Sequence, residues 1–445
     1  MKIRRLASSP LTILFICAVV IYCIVLWHIY QNSEIAITGD AAEYIRSAHN
    51  LIDHHVIYCG DLSEPVNPDL FSRRLFMYPA LIAFVIYLFN NYYLVIGLQM
   101  MLVFINVFLI LTLLKEMNVS EKWSRICAAI YLIYPSQIIF TGIIMTEILL
   151  QSFLLSAFFF YSRFFRERTL MNLFLYNLML MGAVATKPVM LYIWLPNIVV
   201  HLWAYAKERK RLILVFPAML LILISAWSYR NERMTGVYHF SSIRNHNLLN
   251  YNIRSLLTVK YGQVEADRVI DDIEMHAEQR NTYPEKYDYL ESRIKDILKE
   301  YPLEYAAHHM KGLLNFFLDP GRFELCAFFN CVESVSFSTL YNRYGYGAVF
   351  RYLMRAPVHM LIIILATAII NLALFVSFFY FIVARRRIEF ECWAWLMMIC
   401  AYIALITGPI GASRFRLPIF PFLVIIFALT RLRVSGIKSV GPLIY

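Results

Sequence analysis

Apolar stretches of about 18 or more residues, the length a helix needs to cross a bilayer, recur from one end of this 445-residue chain to the other. In hydrocarbon every backbone N–H and C=O must be satisfied inside its own segment, so such runs become helices. The clearest run, Leu11 to Tyr30, follows a basic start of Lys2, Arg4 and Arg5. It is too long for the core of a signal peptide and no small-x-small cleavage pattern follows it, so it reads as an uncleaved anchor. Only 16% of the residues are charged while 60% are hydrophobic, far from the balance of a soluble domain. The fold class predicted is an all-α polytopic membrane protein.

A formal net charge of +11 would suit a nucleic-acid binder, but the Lys and Arg residues sit in short clusters between apolar runs. That is the pattern of membrane topology and not of one basic face, so nucleic acid is excluded as a partner. Of the eight cysteines, Cys17, Cys23, Cys127, Cys392 and Cys400 lie in or beside apolar runs and read as small buried hydrophobes. Cys59, Cys326 and Cys331 lie in polar regions, and Cys326 and Cys331 are close enough in sequence for a disulfide in an oxidising compartment. No Cys/His spacing looks like a zinc site.

Placing the basic clusters inside sets the path of the chain. The first span, about 11–30, runs outward and leaves 31–75 outside. Two apolar runs follow, Leu75 to Asn90 and Leu94 to Leu114, and both cannot cross. If they did, Arg163, Arg166 and Arg168, and then Lys207, Arg209, Lys210 and Arg211, would face out. Residues 76–90 are therefore predicted to lie at or dip into the outer interface, with 94–114 as the second span. Further spans alternate over 126–143, 146–162, 170–186, 189–206, 212–229, 357–384, 391–409 and 417–432, for about ten transmembrane helices. They return Lys115, Lys122, Arg125, Arg385, Arg386, Arg387, Arg431, Arg433 and Lys438 to the inside. The spans at 170–186 and 417–432 are short, which suits tilting or partial re-entry.

Between the spans, 230–355 has nearly equal acids and bases. Val264, Ile270 and Ile273, then Leu290, Ile294, Ile297 and Leu298, recur at helical spacing, and Pro302 and Pro320 break the pattern. It reads as a helical cap on the outer face. The organisation predicted is a transmembrane module over 1–229 that includes the first outer loop (31–92), an extracytoplasmic helical cap over 230–355, and C-terminal transmembrane helices over 356–445.

The residues that break the charge rule carry the functional signal, because an ionisable group in or beside a spanning helix is costly. All of them fall on the predicted outer side. Asp40, in TGDAAEYIRSAHNLI, lies within one helical turn of Glu43 and Tyr44. A carboxylate at the mouth of a membrane cavity suits a general base, although Asp is also a favoured helix N-cap. Glu147 follows Thr146 at the start of a span. Thr146 would cap that helix and Glu147 would suit its dipole, or Glu147 is a second acid binding an acceptor hydroxyl, a sugar hydroxyl or a metal. Lys187, in ATKPV, either snorkels to the interface or faces the same cavity. Arg414 and Arg416, in SRFRLP, present two guanidinium groups that match phosphate oxygens or anchor to headgroups, with Arg73 and Arg74 a weaker version. Because the two are separated by one residue, both face one way only if the backbone there is extended or irregular. Acids for deprotonation beside cations for a phosphate imply an anionic lipid-linked donor whose phosphate is the leaving group.

The order and spacing of these segments resemble the membrane-embedded glycosyltransferases of the C-type fold, in the bacterial branch related to protein O-mannosyltransferases and the lipid A aminoarabinose transferase. GDAAEYIRSAHNL resembles the family's acidic first-loop motif. RRLFMYPALIAFVIYLF is similar to its juxtamembrane Tyr-Pro segment. IYLIYPSQIIFTGIIMTEILLQSFLLSAFFFY resembles the helix pair with an acid at the second outer loop, and SRFRLPIFPFLVIIFA the closing Arg-x-Arg-x-Pro segment. AWSYRNERMTG, HNLLNYN and KEYPLEYAAHHMKGLLNFFLDPG look like the approach to the outer cap and its return. The resemblance implies inverting transfer of a monosaccharide from a polyprenyl-phosphate donor to a glycan, lipid or protein acceptor. Asp40 would be the base and Glu147 a second catalytic acid. Glu43, Tyr44, Arg74, Lys187, Arg414 and Arg416 would hold substrate. No cofactor is required by it and a divalent metal stays open. It implies a multi-pass protein of the inner (plasma) membrane with its site facing the periplasm or outside. Two features depart from the family: a single acid stands at the first-loop core with Glu43 three residues on, and the cap holds no large soluble domain. A lipid-linked-substrate flippase, an O-antigen-type ligase and a non-enzymatic scaffold are the other classes such a chain allows.

Overall fold

A computed structural model of the chain describes residues 10–329, 347, 351, 357–383 and 388–431, and every regular element among them is helical. The helices are α1 (Pro10–Gln31), α2 (Gly39–His54), α3 (Met77–Phe89), α4 (Leu94–Glu116), α5 (Glu121–Ile133), α6 (Pro135–Gly142), α7 (Glu147–Glu167), α8 (Leu170–Thr186), α9 (Trp194–Glu208) and α10 (Phe216–Thr235). The cap follows with α11 (Ile243–Asn247), α12 (Arg254–Tyr261), α13 (Gln263–Glu278), α14 (Tyr283–Glu300), α15 (Pro302–Leu318) and α16 (Arg322–Phe328). The chain returns through α17 (Val358–Val383), α18 (Phe390–Ile406), the single turn α19 (Ser413–Arg416) and α20 (Phe420–Leu429). Among the described residues, six helical stretches are long and apolar enough to cross a membrane: Pro10–Gln31, Leu94–Glu116, Glu147–Glu167, Pro188–Glu208, Arg211–Thr235 and Val358–Val383. With the shorter apolar helices Met77–Phe89, Leu170–Thr186 and Phe390–Ile406 beside them, this is an all-α polytopic architecture.

Helix α3 has 13 residues. At 1.5 Å per residue it reaches about 20 Å, short of the roughly 30 Å hydrocarbon layer. Asn90 ends it in the left-handed region at φ 51°, its N–H donating to the Ile86 carbonyl. Tyr78 fixes the helix on both sides: its ring meets Tyr44 of α2 edge-on at 5.1 Å, and its hydroxyl donates to Gln99 of α4 at 2.6 Å. The structure is thus consistent with 76–90 staying on one face.

Three boundaries differ from those read in sequence. The span expected over 126–143 is two helices, α5 and α6, because Pro135 forces Tyr134 out of the helical region (ψ 122°). The span expected to start at 189 opens with a 3₁₀ turn over Pro188–Ile193. Helix α10 runs on to Thr235, where Gly236 at φ 79° closes it. Cys331 and the Arg385–Arg387 cluster lie outside the described residues.

Two separate apolar cores form. The larger joins the membrane helices and takes in Phe316, Phe317, Leu325 and Phe328, so the end of the cap is packed onto the bundle. The smaller holds Leu249, Ile253, Leu257, Ala266, Ile270, Ile273, Ile294 and Ile297. Val264 is not part of it and is 84% exposed. It sits on the α13 face opposite the stripe of Ala266, Ile270, Ile273 and Ala277.

Charge is sorted along the bundle. Arg166 pairs with Glu116 at 2.9 Å, Arg168 with Glu208 at 3.2 Å, and Lys207 with Glu391, while Arg431 lies over Trp123. The C-termini of α4, α7 and α9 therefore share one end of the bundle with the N-termini of α5 and α18. That arrangement requires an even number of crossings between Glu116 and Arg166 and between Arg166 and Glu208; α3 enters neither count, and its spanning or not decides on which side of the membrane that end lies relative to the start of the chain. A cysteine placed between Asn118 and Lys122, in a background without other reactive thiols, is expected to resist a membrane-impermeant thiol reagent applied to intact cells. Labelling there would reverse the orientation.

Candidate active site

At the opposite end of the bundle, four sequence-distant segments bring charged side chains to the start of α7. Thr38 caps α2, its hydroxyl accepting from the Ala41 N–H at 3.4 Å. Asp40 is therefore the second helical residue and not the cap, and its carboxylate is free for other partners. Being in the first turn it also sits favourably in the helix dipole. Thr146 precedes α7 but makes no capping bond; its hydroxyl instead lies 3.4 Å from Oε2 of Glu147.

Arg414 Nη2 donates to Oδ2 of Asp40 at 2.7 Å and its Nε to Oε1 of Glu147 at 2.5 Å. Lys187 Nζ donates to the same Oε1 at 2.8 Å. On the other side, Arg74 Nη2 donates to Oδ1 of Asp40 at 2.6 Å, and its Nε to Oε2 of Glu43 at 2.5 Å. Arg73 continues the line, with Nη1 3.4 Å from Glu43 and Nη2 2.6 Å from Asp69. Tyr44 lies buried beneath Arg74, ring centre to guanidinium carbon 5.0 Å. The side chains alternate in sign: Lys187, Glu147, Arg414, Asp40, Arg74, Glu43, Arg73, Asp69. Four cations face four acids, which is how a low-dielectric site holds so many charges at bearable cost.

Electrostatics follow from those contacts. Burial alone would raise the carboxyl of Asp40, but Arg414 and then Arg74 outweigh it and hold it well below the usual carboxylate range. Arg414 and Arg74 are opposed by burial, yet their acid partners keep both firmly protonated. At rest Asp40 is thus an ionised, fully occupied carboxylate, with proton affinity suppressed by two guanidinium groups.

Of the residues singled out in sequence, Asp40, Glu43, Tyr44, Arg74, Glu147, Lys187 and Arg414 are brought together and Arg416 is not. Arg414 and Arg416 lie on one helical turn rather than on extended backbone, so their side chains diverge by about 200°. Arg416 is 1% exposed. It donates through Nη1 to the Phe316 and Phe317 carbonyls, both at 2.7 Å, and through Nη2 to the Asp319 carbonyl at 2.9 Å and to the Tyr134 hydroxyl. It closes the C-terminus of α15, where carbonyls have no intrahelical partner.

Sequence reasoning missed Asp69, Asp319 and Glu324. Asp319 Oδ2 accepts from the Ser413 N–H at 2.7 Å and Glu324 Oε1 from the Ser413 hydroxyl at 2.9 Å, next to Arg414. Burial, then Asp319, push the Glu324 carboxyl up. Asp69 stands in a polar loop, and Asp319 and Glu324 lie within the segment read as a cap, outside the spans where an acid is costly. The one sequence sign was the Asp-Pro-Gly turn at 319–321. Among the described residues, no three His, Cys, Asp or Glu side chains are placed to hold a metal ion.

No protein-family model matches the chain, and no curated protein matches it. Among solved structures it is similar to the oligosaccharyltransferase of Archaeoglobus fulgidus in its apo form, at 13% identity and a TM-score of 0.42. The alignment covers 92% of this chain and 50% of that one, so the chain spans about half that protein's length.

The two arginines are separable by experiment. Arg416→Lys, which cannot reach all of the acceptors on α15, is expected to lower the stability of the purified protein by about 2–4 kcal/mol. Arg414→Lys keeps a cation between Asp40 and Glu147 and is expected to leave the unfolding midpoint near that of wild type. Thermal unfolding in detergent checks this, and equal losses in the two variants would count against the division of roles.

Proposed function

We propose that the chain is a membrane-embedded glycosyltransferase of the C-type fold that moves a monosaccharide from a polyprenyl-phosphate donor to an acceptor hydroxyl. The observation that supports this best is the pairing of Asp40 with Arg414 and Lys187–Glu147 at one end of an apolar bundle. A carboxylate able to take a proton lies beside guanidinium and ammonium groups able to take a phosphate, at the end of the bundle where this reading brings a lipid headgroup in from the bilayer. In a transporter the ionisable groups are expected near the bilayer midplane, and here they gather at one end.

In this proposal Asp40 removes the proton of the acceptor hydroxyl as its oxygen attacks the anomeric carbon. The new bond is acceptor oxygen to C1. The bond that breaks is C1 to the phosphate oxygen, which leaves with the electron pair as polyprenyl phosphate, with inversion at C1. Arg414 and Lys187 stabilise the charge that grows on that oxygen. The proton on Asp40 passes to solvent or to the departing phosphate. Arg74 and Glu43 hold Asp40 in place. Glu147 holds Arg414, and Tyr44 supports Arg74. The donor and the acceptor glycan, lipid or protein would meet on the periplasmic or outer side of the inner (plasma) membrane.

The test uses purified protein in nanodiscs, polyprenyl-phosphate hexoses and pentoses with labelled sugars, and envelope extract from cells lacking the gene as the acceptor source. Release of polyprenyl phosphate in step with sugar transfer is expected for at least one donor. Asp40→Asn keeps the shape of the side chain but not its proton affinity, and is expected to slow transfer by about 10²–10⁴-fold with unfolding unchanged. A near-wild-type rate in that variant would remove Asp40 as the base.

A further inference from the structure

Both oxygens of Asp40 face a guanidinium in the resting site. Oδ1 accepts from Arg74 and Oδ2 from Arg414, so an incoming hydroxyl meets a carboxylate whose proton affinity two cations suppress, and withdrawal of either one would raise that affinity.

The two cations are not equivalent. Arg74 is fixed by Asp40, by Glu43 through Nε, and by the Tyr44 ring, with its side chain 11% exposed. Its departure would leave Glu43 with only the 3.4 Å contact to Arg73. Arg414 is 26% exposed and spans two acids that each have a second cation. If it leaves, Asp40 keeps Arg74 at 2.6 Å and Glu147 keeps Lys187 at 2.8 Å. No buried carboxylate is stranded, which is the event that makes breaking such a network expensive. A phosphate is the ligand class able to draw Arg414 off, because its oxygens match the guanidinium fork that the two carboxylates now share.

We propose that Arg414 works as an exchange switch: the phosphate of the donor lipid takes the guanidinium edge shared by Asp40 and Glu147, and Oδ2 of Asp40 is left open to the acceptor hydroxyl. The inference rests on the donor reading above and adds a binding order to it. Without the donor both oxygens of Asp40 face a guanidinium, and the carboxylate is a poor acceptor for the proton of a hydroxyl or of water. With the donor bound, Asp40 has lost a cation and gained an anionic neighbour, and both changes raise its proton affinity when the acceptor arrives.

The groups that face Asp40 are few. Arg74 comes from the loop before α3, Arg414 from α19, Glu147 from α7 with Lys187 behind it, and Glu43 and Tyr44 from α2 itself. Of these only Arg414 changes partners in the exchange.

The full-length protein in nanodiscs, titrated by infrared difference spectroscopy, reads the switch directly. The Asp40 carboxylate band is assigned by subtracting Asp40→Asn, and the titration is run alone, with polyprenyl phosphate, and with uncharged polyprenol. Polyprenyl phosphate is expected to move the Asp40 midpoint upward by about one pH unit or more, and polyprenol to leave it in place. In Arg414→Gln the midpoint is expected to be high before any lipid is added. Should that variant fail to fold, the wild-type titration decides alone. Saturable binding of polyprenyl phosphate with no movement of the Asp40 midpoint would overturn the exchange and leave the donor reading standing. Polyprenyl phosphate that binds no better than polyprenol would overturn both.

Discussion

One guanidinium shared between two carboxylates holds one end of this bundle together. Glu147 belongs to α7, the most enclosed of the six candidate spans, and its side chain is fully buried. Asp40 belongs to α2, in the stretch that follows α1. Arg414 joins the two across 374 and 267 positions of sequence. A guanidinium withdrawn from water with no acid beside it would cost several kcal/mol, so the α18–α20 connection that carries Arg414 docks against both the helix that bears Asp40 and the core helix that bears Glu147. The same neutrality extends outward through Arg74, Glu43 and Arg73 to Asp69, which Tyr283 of the cap also contacts at 3.3 Å. The charge chain thus runs from the membrane core to the cap.

Much of this was legible in the sequence because each central residue is a local anomaly, a charge at the end of an apolar run. Asp40, Glu147, Lys187 and Arg414 could be singled out with no knowledge of their contacts. The parity of the basic clusters likewise argues for an α3 that does not cross, and its 13 residues are consistent with that. What sequence could not supply was pairing and direction. Arg416 is the same anomaly two residues later, but one helical turn at 413–416 sends it to the carbonyls of α15. Asp69 carried no signal because acids are common in polar loops, and Asp319 and Glu324 carried little because they fall in the segment read as a cap and not in a span. Pro135 was visible, but spanning helices tolerate proline often enough that the break between α5 and α6 could not be assumed.

Arg416 has its own consequence for the site. It fastens the end of α15 to the segment that carries Arg414, and the two segments touch through backbone. A methyl group on Gly312 would stand 2.4 Å from the Pro409 Cα, and one on Gly411 would stand 2.0 Å from the Gly312 carbonyl oxygen. Gly411 also has φ 53°, so no side chain is easily accommodated there. Asp319 and Glu324 then hold Ser413 by its amide and its hydroxyl. The backbone that bears Arg414 is fixed on every side. Any change of partner at Arg414 is therefore a side-chain rotation and not a loop movement, and side-chain rotations are the fastest and least costly rearrangements a protein makes.

The single-oxygen geometry at Glu147 fits that picture. Lys187 and Arg414 both donate to Oε1, while Oε2 has only the Thr146 hydroxyl at 3.4 Å. A carboxylate built to grip an arginine permanently would use both oxygens against the fork, as bidentate pairs do. Here the guanidinium presents Nε to one acid and Nη2 to another, so neither acid has the paired geometry that makes such contacts hard to break. The lysine already on Oε1 neutralises Glu147 whether or not Arg414 is present. The arrangement is stable because the charges balance, and yet Arg414 is held on each side by one bond. That combination is what a site needs if it is to stay ordered when empty and still yield its arginine to an arriving phosphate.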